Sequence, residues 1–207
     1  MDFGRYLGSV ARSVHDTTRE GMQVRVVTLA RSYATSVEDL WDAITNPERL
    51  PRWFLEVTGD LKQGGRYQLQ GNAGGTILVC RPPEALDLTW EFASTLSWVD
   101  VRLSAEAEGA RLVLSHIAEH PNEFVDKYGS GAGGIGWDLG LLGLAHHLDN
   151  PSEKFNEEEL AASPQGRSLI ADVGAAWGEA DIAAGDDPEK ARAAAARSIA
   201  FFSGEAQ

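Results

Sequence analysis

Short segments in which apolar and polar side chains alternate fill the middle of the chain. The first, residues 24–33, is rich in β-branched side chains, which favour extended structure. Glycine or proline turn signals separate the segments that follow, which lie near Val57 and at residues 66–70, 76–81, 86–92, 97–105 and 111–117. A spacing of about 8–12 residues between short strands is typical of an antiparallel meander. The pattern therefore predicts a largely antiparallel sheet.

Helical spacing interrupts the strands once, directly after the first of them. Ser36 is suited to cap a helix that begins at Val37, because its side chain can accept a hydrogen bond from the first helical turn. Asn46 and Pro47 end that helix, and residues 50–54 form a second short one. The sequence thus predicts the order strand, two helices, then a run of strands.

A longer helical pattern at residues 135–148 follows the strands. Gly136, Gly140 and Gly143 fall on one side of this helix, beside a stripe of large apolar residues. Each glycine inside a helix costs about 1 kcal/mol relative to alanine. Two interpretations explain them: another element packs closely against this side, or the helix forms the wall of a cavity.

Composition narrows the possible functions. Of the 207 residues, 43% are hydrophobic and 24% are charged, as in ordinary globular proteins. The net charge of −13 argues against a protein that grips phosphate backbones, so we expect no nucleic-acid partner. No apolar run approaches the ~18 residues of a membrane span, and we expect no secretory signal. The single cysteine, Cys80, fits a reducing setting, so we expect a cytoplasmic location.

Five segments, taken together, resemble a known family. They are LWDAITNPERLPRWF (40–54), DLKQGGRYQL (60–69), CRPPEALDLTWEF (80–92), RLVLSH (111–116) and GWDLGLLGLAHHL (136–148). In this order they are similar to the START/birch-pollen-allergen-like (SRPBCC) superfamily, and within it to the group homologous to the heat-shock protein 90 ATPase activator. The resemblance implies an α+β helix-grip fold, in which a curved antiparallel sheet surrounds a long helix and encloses an apolar cavity. It does not settle the function, because the superfamily includes lipid carriers, cyclases, resistance proteins and a co-chaperone.

Both ends of the chain extend beyond this domain, which we assign to residues 22–150. Residues 1–21 have the pattern of a weakly amphipathic helix, with apolar positions at Phe3, Leu7, Val10 and Val14. Residues 151–207 predict a C-terminal helical hairpin packed on the core. Ser163 and Pro164 begin its first helix, at 164–184, and the second helix runs from 188 to about 204. These extensions can cover the core, form a lid over the cavity or make a dimer interface.

Alternation also predicts which side chains line the cavity. On residues 86–92 the apolar side chains share one face, and on residues 97–105 the inward set begins at Ser97, which leaves Trp98 outside. Together with helical spacing, this predicts nine ligand-binding residues: Trp53, Tyr67, Leu88, Trp90, Val101, Leu114, His116, Trp137 and Leu141. The alternative is that these aromatic side chains simply fill the core.

Histidine provides the one candidate for catalysis. If the protein is an enzyme, His116 is the expected proton carrier, because it is the inward-facing group expected to titrate near neutral pH. We predict no metal site. His116 and His120 lie on a strand and past its end, and His146 and His147 point about 100° apart on a helix.

A glycine-rich run precedes the long helix. Gly131, Gly133 and Gly136 formally match a dinucleotide-binding fingerprint, but no buried strand comes before them and no βαβ unit surrounds them. We interpret residues 129–136 as a flexible loop at the mouth of the cavity, and we expect no cofactor.

Three classes of function remain open. The preferred one is a module that binds a small hydrophobic or aromatic molecule, lipid-like or polyketide-like, in the cavity between sheet and long helix. The first alternative is a cofactor-independent cyclase or hydrolase that uses His116, Tyr67 or Arg31 as polar groups in the same cavity. The second is a stress-response or co-chaperone-like adaptor that binds another protein. A homodimer is compatible with all three.

Overall fold

The computed structural model describes Tyr6 and residues 8–205. In this part of the chain the strands are β1 (Ala11–Arg19), β2 (Met22–Tyr33), β3 (Val57–Gly59), β4 (Arg66–Leu69), β5 (Gly74–Arg81), β6 (Ala85–Phe92), β7 (Thr95–Glu106) and β8 (Gly109–Glu119). They form one curved antiparallel sheet in the order β1-β2-β8-β7-β6-β5-β4-β3. The predicted α+β helix-grip class is confirmed, and the predicted strands are present within a few residues of their expected bounds.

The helices lie between and after these strands. They are α1 (Val37–Thr45), a 3₁₀ turn (Leu50–Arg52), α2 (Glu123–Tyr128), α3 (Gly131–Asp149), α4 (Glu157–Ala162), α5 (Pro164–Ala183) and α6 (Pro188–Phe202). Polar side chains cap α1 and α5 as expected, since Ser36 accepts a hydrogen bond from the backbone N–H of Asp39 and Ser163 accepts one from Gly166. Helices α5 and α6 pack against each other, which confirms the predicted C-terminal pair of helices.

The chain divides into two compact units. The terminal unit consists of Met1–Leu29, Glu119–Leu142 and Asn156–Gln207, and the central unit consists of Ala30–Ala118 and Gly143–Phe155. Most of α3 and the C-terminal helices belong to the terminal unit, whereas α1 and β3 to β7 belong to the central unit.

The terminal unit is closely packed where α3 meets α5. Trp177 is fully buried, and a Cβ atom added to Gly134 would lie 2.4 Å from its indole ring. The indole N–H donates to the Asp138 carboxylate at 2.9 Å, and Arg12 makes a two-pronged ion pair with the same carboxylate at 2.6 and 3.0 Å. Since Asp138 is only 1% exposed, these two donors satisfy a carboxylate that burial would otherwise make costly.

The interpretation of the glycine-rich run as a flexible loop is wrong. Gly131 to Gly136 form the first turns of α3, which begins four residues before the predicted start at Ile135. The physical reason is the contact just described, because Gly134 has no side chain and so permits the Trp177 ring to approach the helix backbone. Gly143 plays the same part in the central unit, where the Trp53 carbonyl oxygen lies 2.6 Å from the place its Cβ would take.

The helical prediction for the N-terminal extension is wrong for the residues from Ala11 to Arg19. They form strand β1, which pairs with β2. The turn between the two strands consists of Glu20 and Gly21, both with positive φ, as a two-residue hairpin turn requires. In the sequence, the Glu20-Gly21 pair followed by a segment rich in β-branched residues is the signal that indicates this hairpin. Residues 1–5 and 7 of the predicted helix, which include Phe3 and Leu7, lie outside the described residues.

Candidate functional site

Three rows of side chains cover one face of strands β6, β7 and β8 in the central unit. The strand register places Leu86 opposite Val101 and Leu88 opposite Val99, and the same register continues onto β8. We call the resulting set the inner-face grid, and its members are Leu86, Val101, Leu114, Leu88, Val99, His116, Trp90, Ser97 and Ala118. The predicted inward sets of these three strands are therefore confirmed.

The inner-face grid is only partly covered. Its β7 members are closed to solvent, with Val99 2% and Val101 6% exposed. On β6, however, Leu88 and Trp90 are only half-buried, and so is His116. An apolar surface thus stays accessible around these three side chains, which are large enough to contact a small molecule.

A hydrogen-bonded pair forms the polar part of the inner-face grid. Ser97 Oγ donates to the Trp90 carbonyl oxygen at 3.1 Å and lies 2.9 Å from His116 Nε2. Because the serine hydroxyl has a single proton, His116 Nε2 is the donor to Ser97 in the tautomer in which that proton goes to the Trp90 carbonyl. The Trp90 ring meets the imidazole edge-on, with 6.2 Å between the ring centroids. These two contacts hold the imidazole in one orientation.

The expectation that His116 titrates near neutral pH is wrong. Burial lowers the pKa of His116 from 6.5 to about 4, because the charged imidazolium would lose its hydration. At neutral pH the ring is uncharged and is a weak base. It can form hydrogen bonds, but it is poorly suited to accept a proton from a ligand.

A second apolar cluster adjoins the inner-face grid on the β4 and β5 side. Tyr67, Leu69 and Ile77 are buried together, and the half-buried residues that pack against them are Phe54, Leu55, Val57, Cys80, Leu86, Leu88 and Trp90. The Tyr67 hydroxyl donates to the backbone carbonyl of Thr89 at 2.8 Å, and burial raises the pKa of this phenol. Tyr67 therefore contributes an apolar ring, and its hydroxyl proton is already donated to a backbone carbonyl.

Trp53 reaches this cluster through its neighbour. Its ring stacks on Phe54 with centroids 5.5 Å apart, and its indole N–H donates to the Ala43 carbonyl at 3.0 Å. Since Phe54 packs on the Tyr67 cluster, Trp53 belongs to the outer wall of the same apolar region.

Charged side chains of these strands lie on the opposite face of the sheet. Asp87 pairs there with Arg102, and Glu91 pairs with Arg66 at 2.7 Å. None of the nine members of the inner-face grid is an acid, a lysine or an arginine. The accessible surface is therefore apolar and uncharged, apart from the neutral Ser97–His116 pair.

The structure brings most of the predicted site residues together. Five belong to the inner-face grid, namely Leu88, Trp90, Val101, Leu114 and His116, and Tyr67 and Trp53 are linked to it through the adjoining cluster. Trp137 and Leu141 belong to the terminal unit, and their place in the site stays a prediction. Two participants were missed as site residues. Ser97 is predicted only to face inward, and Phe54 is predicted only as the last residue of a short helix, which in the structure ends at Arg52.

The histidines at the end of α3 have separate partners. His147 Nε2 accepts a hydrogen bond from Arg49 Nε at 3.1 Å, whereas His146 Nε2 lies 3.4 Å from Glu153. Over the described residues, no three His, Cys, Asp or Glu side chains are grouped so as to hold a metal ion. No helix in the same part of the chain is long and apolar enough to cross a membrane.

Sequence comparison places this fold in a family. Residues 34–148 match the family described as activator of Hsp90 ATPase homolog 1-like protein, which is more than half of the chain. The protein belongs to this AHSA1-like family. The matched region contains β3 to β8 and so the whole inner-face grid. Among the curated proteins compared, none matches this chain.

Solved structures agree with the assignment. The crystal structure of CalU16 from Micromonospora echinospora is 30% identical, covers 83% of this chain and 97% of its own, and has a TM-score of 0.67. The solution structure of the same protein is 31% identical, with coverage of 84% and 96% and a TM-score of 0.72. EF2215 from Enterococcus faecalis, a conserved protein of unknown function, is 15% identical, with coverage of 90% and 100% and a TM-score of 0.66. That last likeness shows a shared fold alone.

Proposed function

We propose that the protein binds a small, uncharged, hydrophobic or aromatic molecule on the inner-face grid. One observation carries the proposal: Leu88 and Trp90 on β6 and His116 on β8 stay half-buried, whereas the β7 members between these two strands are closed to solvent. The family supports it in general terms, because its fold is a ligand-binding fold.

The chemistry of the face selects the class of ligand. Covering apolar surface contributes roughly 25 cal/mol for each Å², so a ligand that shields about 100 Å² of Leu88 and Trp90 gains about 2.5 kcal/mol from that contact. A carboxylate or ammonium group placed on the inner-face grid would lose hydration and find no opposite charge among its members. An uncharged aromatic molecule avoids that cost and can stack against the Trp90 ring.

The enzymatic alternative has one observation in its favour, the 2.9 Å contact between Ser97 and His116. The Trp90 carbonyl competes with the imidazole for the serine proton, however, and this competition disfavours Ser97 as a nucleophile. A proton-transfer role would instead use the imidazole directly. The His116→Asn variant tests it: binding within a few-fold of the parent with loss of turnover on a co-purifying ligand would establish catalysis, and turnover that persists would remove His116 from any mechanism.

A size-matched pair of tryptophan variants tests the binding site. Leu88→Trp fills the accessible space beside Trp90, whereas Leu78→Trp makes the same change at a β5 residue that is 38% exposed. Leu114 is a poorer choice because it is only 5% exposed, so a larger side chain there would disturb packing as well as binding. We expect N-phenyl-1-naphthylamine, an uncharged fluorescent probe, to bind the parent and Leu78→Trp equally. Its affinity for Leu88→Trp should fall at least tenfold.

Circular dichroism and thermal unfolding establish that both variants are folded. Equal binding of the probe by Leu88→Trp and by the parent would place the site elsewhere and overturn the proposal. Native mass spectrometry of the protein purified from its own host then identifies the ligand class directly, since a bound molecule adds its mass to the folded chain.

A further inference from the structure

The apolar face continues beyond the inner-face grid to the end of β6. Leu88, Trp90 and Phe92 alternate along this strand and share one face, so Phe92 lies about 6.7 Å beyond Trp90. Phe92 pairs with Thr95 at the end of the β6–β7 hairpin and is 51% exposed. A large aromatic side chain is thus held half in solvent at the open end of the face.

The turn that follows Phe92 is short and strained. Its two central residues, Ala93 and Ser94, have φ values of +48° and +66°. Two-residue turns of this kind strongly prefer Asn-Gly, because side chains other than those of Asn, Asp and Gly fit positive φ poorly. The Thr95 hydroxyl donates to the Phe92 carbonyl at 2.6 Å and closes the turn. The tight turn keeps Phe92 in the strand ladder and so fixes its direction, where a longer loop would release it.

The other exposed residue of this hairpin provides the contrast. Leu96 is 50% exposed, nearly the same as Phe92, but it pairs with Glu91 and therefore lies on the opposite face of the sheet. If the tip of the β6–β7 hairpin were only a non-specific apolar surface, Phe92 and Leu96 would be equivalent. Only Phe92 continues the surface formed by Leu88 and Trp90.

We propose that Phe92 is a specificity-determining residue of the binding site. It contacts the part of a ligand that extends past Trp90, so it favours elongated flat molecules over compact ones. This inference rests on the proposed binding function and adds to it a ligand shape and a named contact.

Three variants of the full chain test the assignment, with N-phenyl-1-naphthylamine as the probe. Phe92→Ala should weaken binding about five- to tenfold, because the probe loses an aromatic surface that is half available in the free protein. Phe92→Leu should recover most of that loss. Leu96→Ala removes a side chain of similar exposure from the other face and should leave affinity unchanged. Thermal unfolding of each variant verifies that the hairpin change does not alter the fold.

Each result decides the inference. Unchanged affinity of Phe92→Ala would overturn it, and so would an equal loss in Leu96→Ala, which would make the tip a non-specific apolar surface. Both results leave the proposed function intact as long as Leu88→Trp still weakens binding at least tenfold. If the parent binds no probe, or if Leu88→Trp binds as the parent does, the proposed function and this inference fail together.

Discussion

Two regions of this molecule bury a tryptophan to different extents. In the terminal unit Trp177 is fully buried, a glycine of α3 makes room for its ring, and Asp138 satisfies its indole N–H. In the central unit Trp90 is half-buried on the inner-face grid, beside Leu88 and a neutral histidine. The first arrangement closes every surface around the ring, whereas the second leaves apolar surface accessible.

The difference separates stability from function. A buried aromatic ring whose polar atom is satisfied contributes to folding and offers nothing to a ligand. An accessible aromatic face beside a fixed polar pair contributes less to folding but can be covered by a bound molecule. We therefore expect substitutions around Trp177 to change the free energy of unfolding, and substitutions around Trp90 to change binding.

The largest effect should come from the buried ion pair of the terminal unit. Asp138→Ala leaves Arg12, whose side chain is 7% exposed, without its two-pronged partner, so unfolding free energy should fall by about 3–5 kcal/mol. Glu179→Ala is the control, since the Glu179–Arg192 pair is more than 60% exposed and should contribute less than about 1 kcal/mol. Urea unfolding measures both. Equal losses in the two variants would contradict the account of the buried pair.

The next effect is a pH dependence that comes from the central unit. Folding lowers the pKa of His116 from 6.5 to about 4, so between these values the unfolded chain binds more protons than the folded one. The stability that this histidine contributes is present above pH 6.5 and is lost as the pH falls towards 4, by about 3 kcal/mol in total. His116→Asn should flatten the fall in unfolding free energy between pH 6.5 and 4. An unchanged slope in the variant would show that folding does not lower the pKa of His116.

Two glycines of one helix sharpen the comparison further. In Gly134→Ala the new Cβ would lie 2.4 Å from the Trp177 ring, so overpacking should lower unfolding free energy by about 1–3 kcal/mol. In Gly136→Ala the new Cβ would meet Phe202 at an ordinary 3.8 Å, so the better helix propensity should raise it by up to about 1 kcal/mol. Changes of the same sign in the two variants, measured by thermal unfolding, would rule out the close approach of Trp177 as the reason for Gly134.

Periodicity predicted the parts of the fold that depend on local chemistry. Alternation located β6 to β8 and their inward faces, and the Ser36 and Ser163 caps located the starts of α1 and α5. Periodicity failed to predict the structure where a tertiary contact determines it. The run from Gly131 to Gly136 reads as a loop until Trp177 is known to pack against Gly134, and that contact joins residues that lie far apart in the sequence.

In the candidate site, too, features that depend on local periodicity were predictable and features that depend on tertiary contacts were not. Leu88, Trp90 and His116 were predictable because a strand alternates with a period of two, and their register then places them in neighbouring rows. The low pKa of His116 was not predictable, because it depends on how much hydration the imidazole loses on folding. The bond from Ser97 to the Trp90 carbonyl depends on a cross-strand pairing that sequence alone does not give.

The smallest expected effect separates the hairpin's strain from its function. Replacing Ala93 and Ser94 by Asn and Gly supplies the residues that prefer positive φ at both turn positions, so unfolding free energy should rise by about 1 kcal/mol. Because the new turn keeps Phe92 paired with Thr95, affinity for N-phenyl-1-naphthylamine should stay that of the parent. Thermal unfolding and a fluorescence titration measure the two quantities on one sample. A gain in stability accompanied by a loss of affinity would mean that the turn residues themselves contact the ligand, and the role assigned to Phe92 would then pass to the turn.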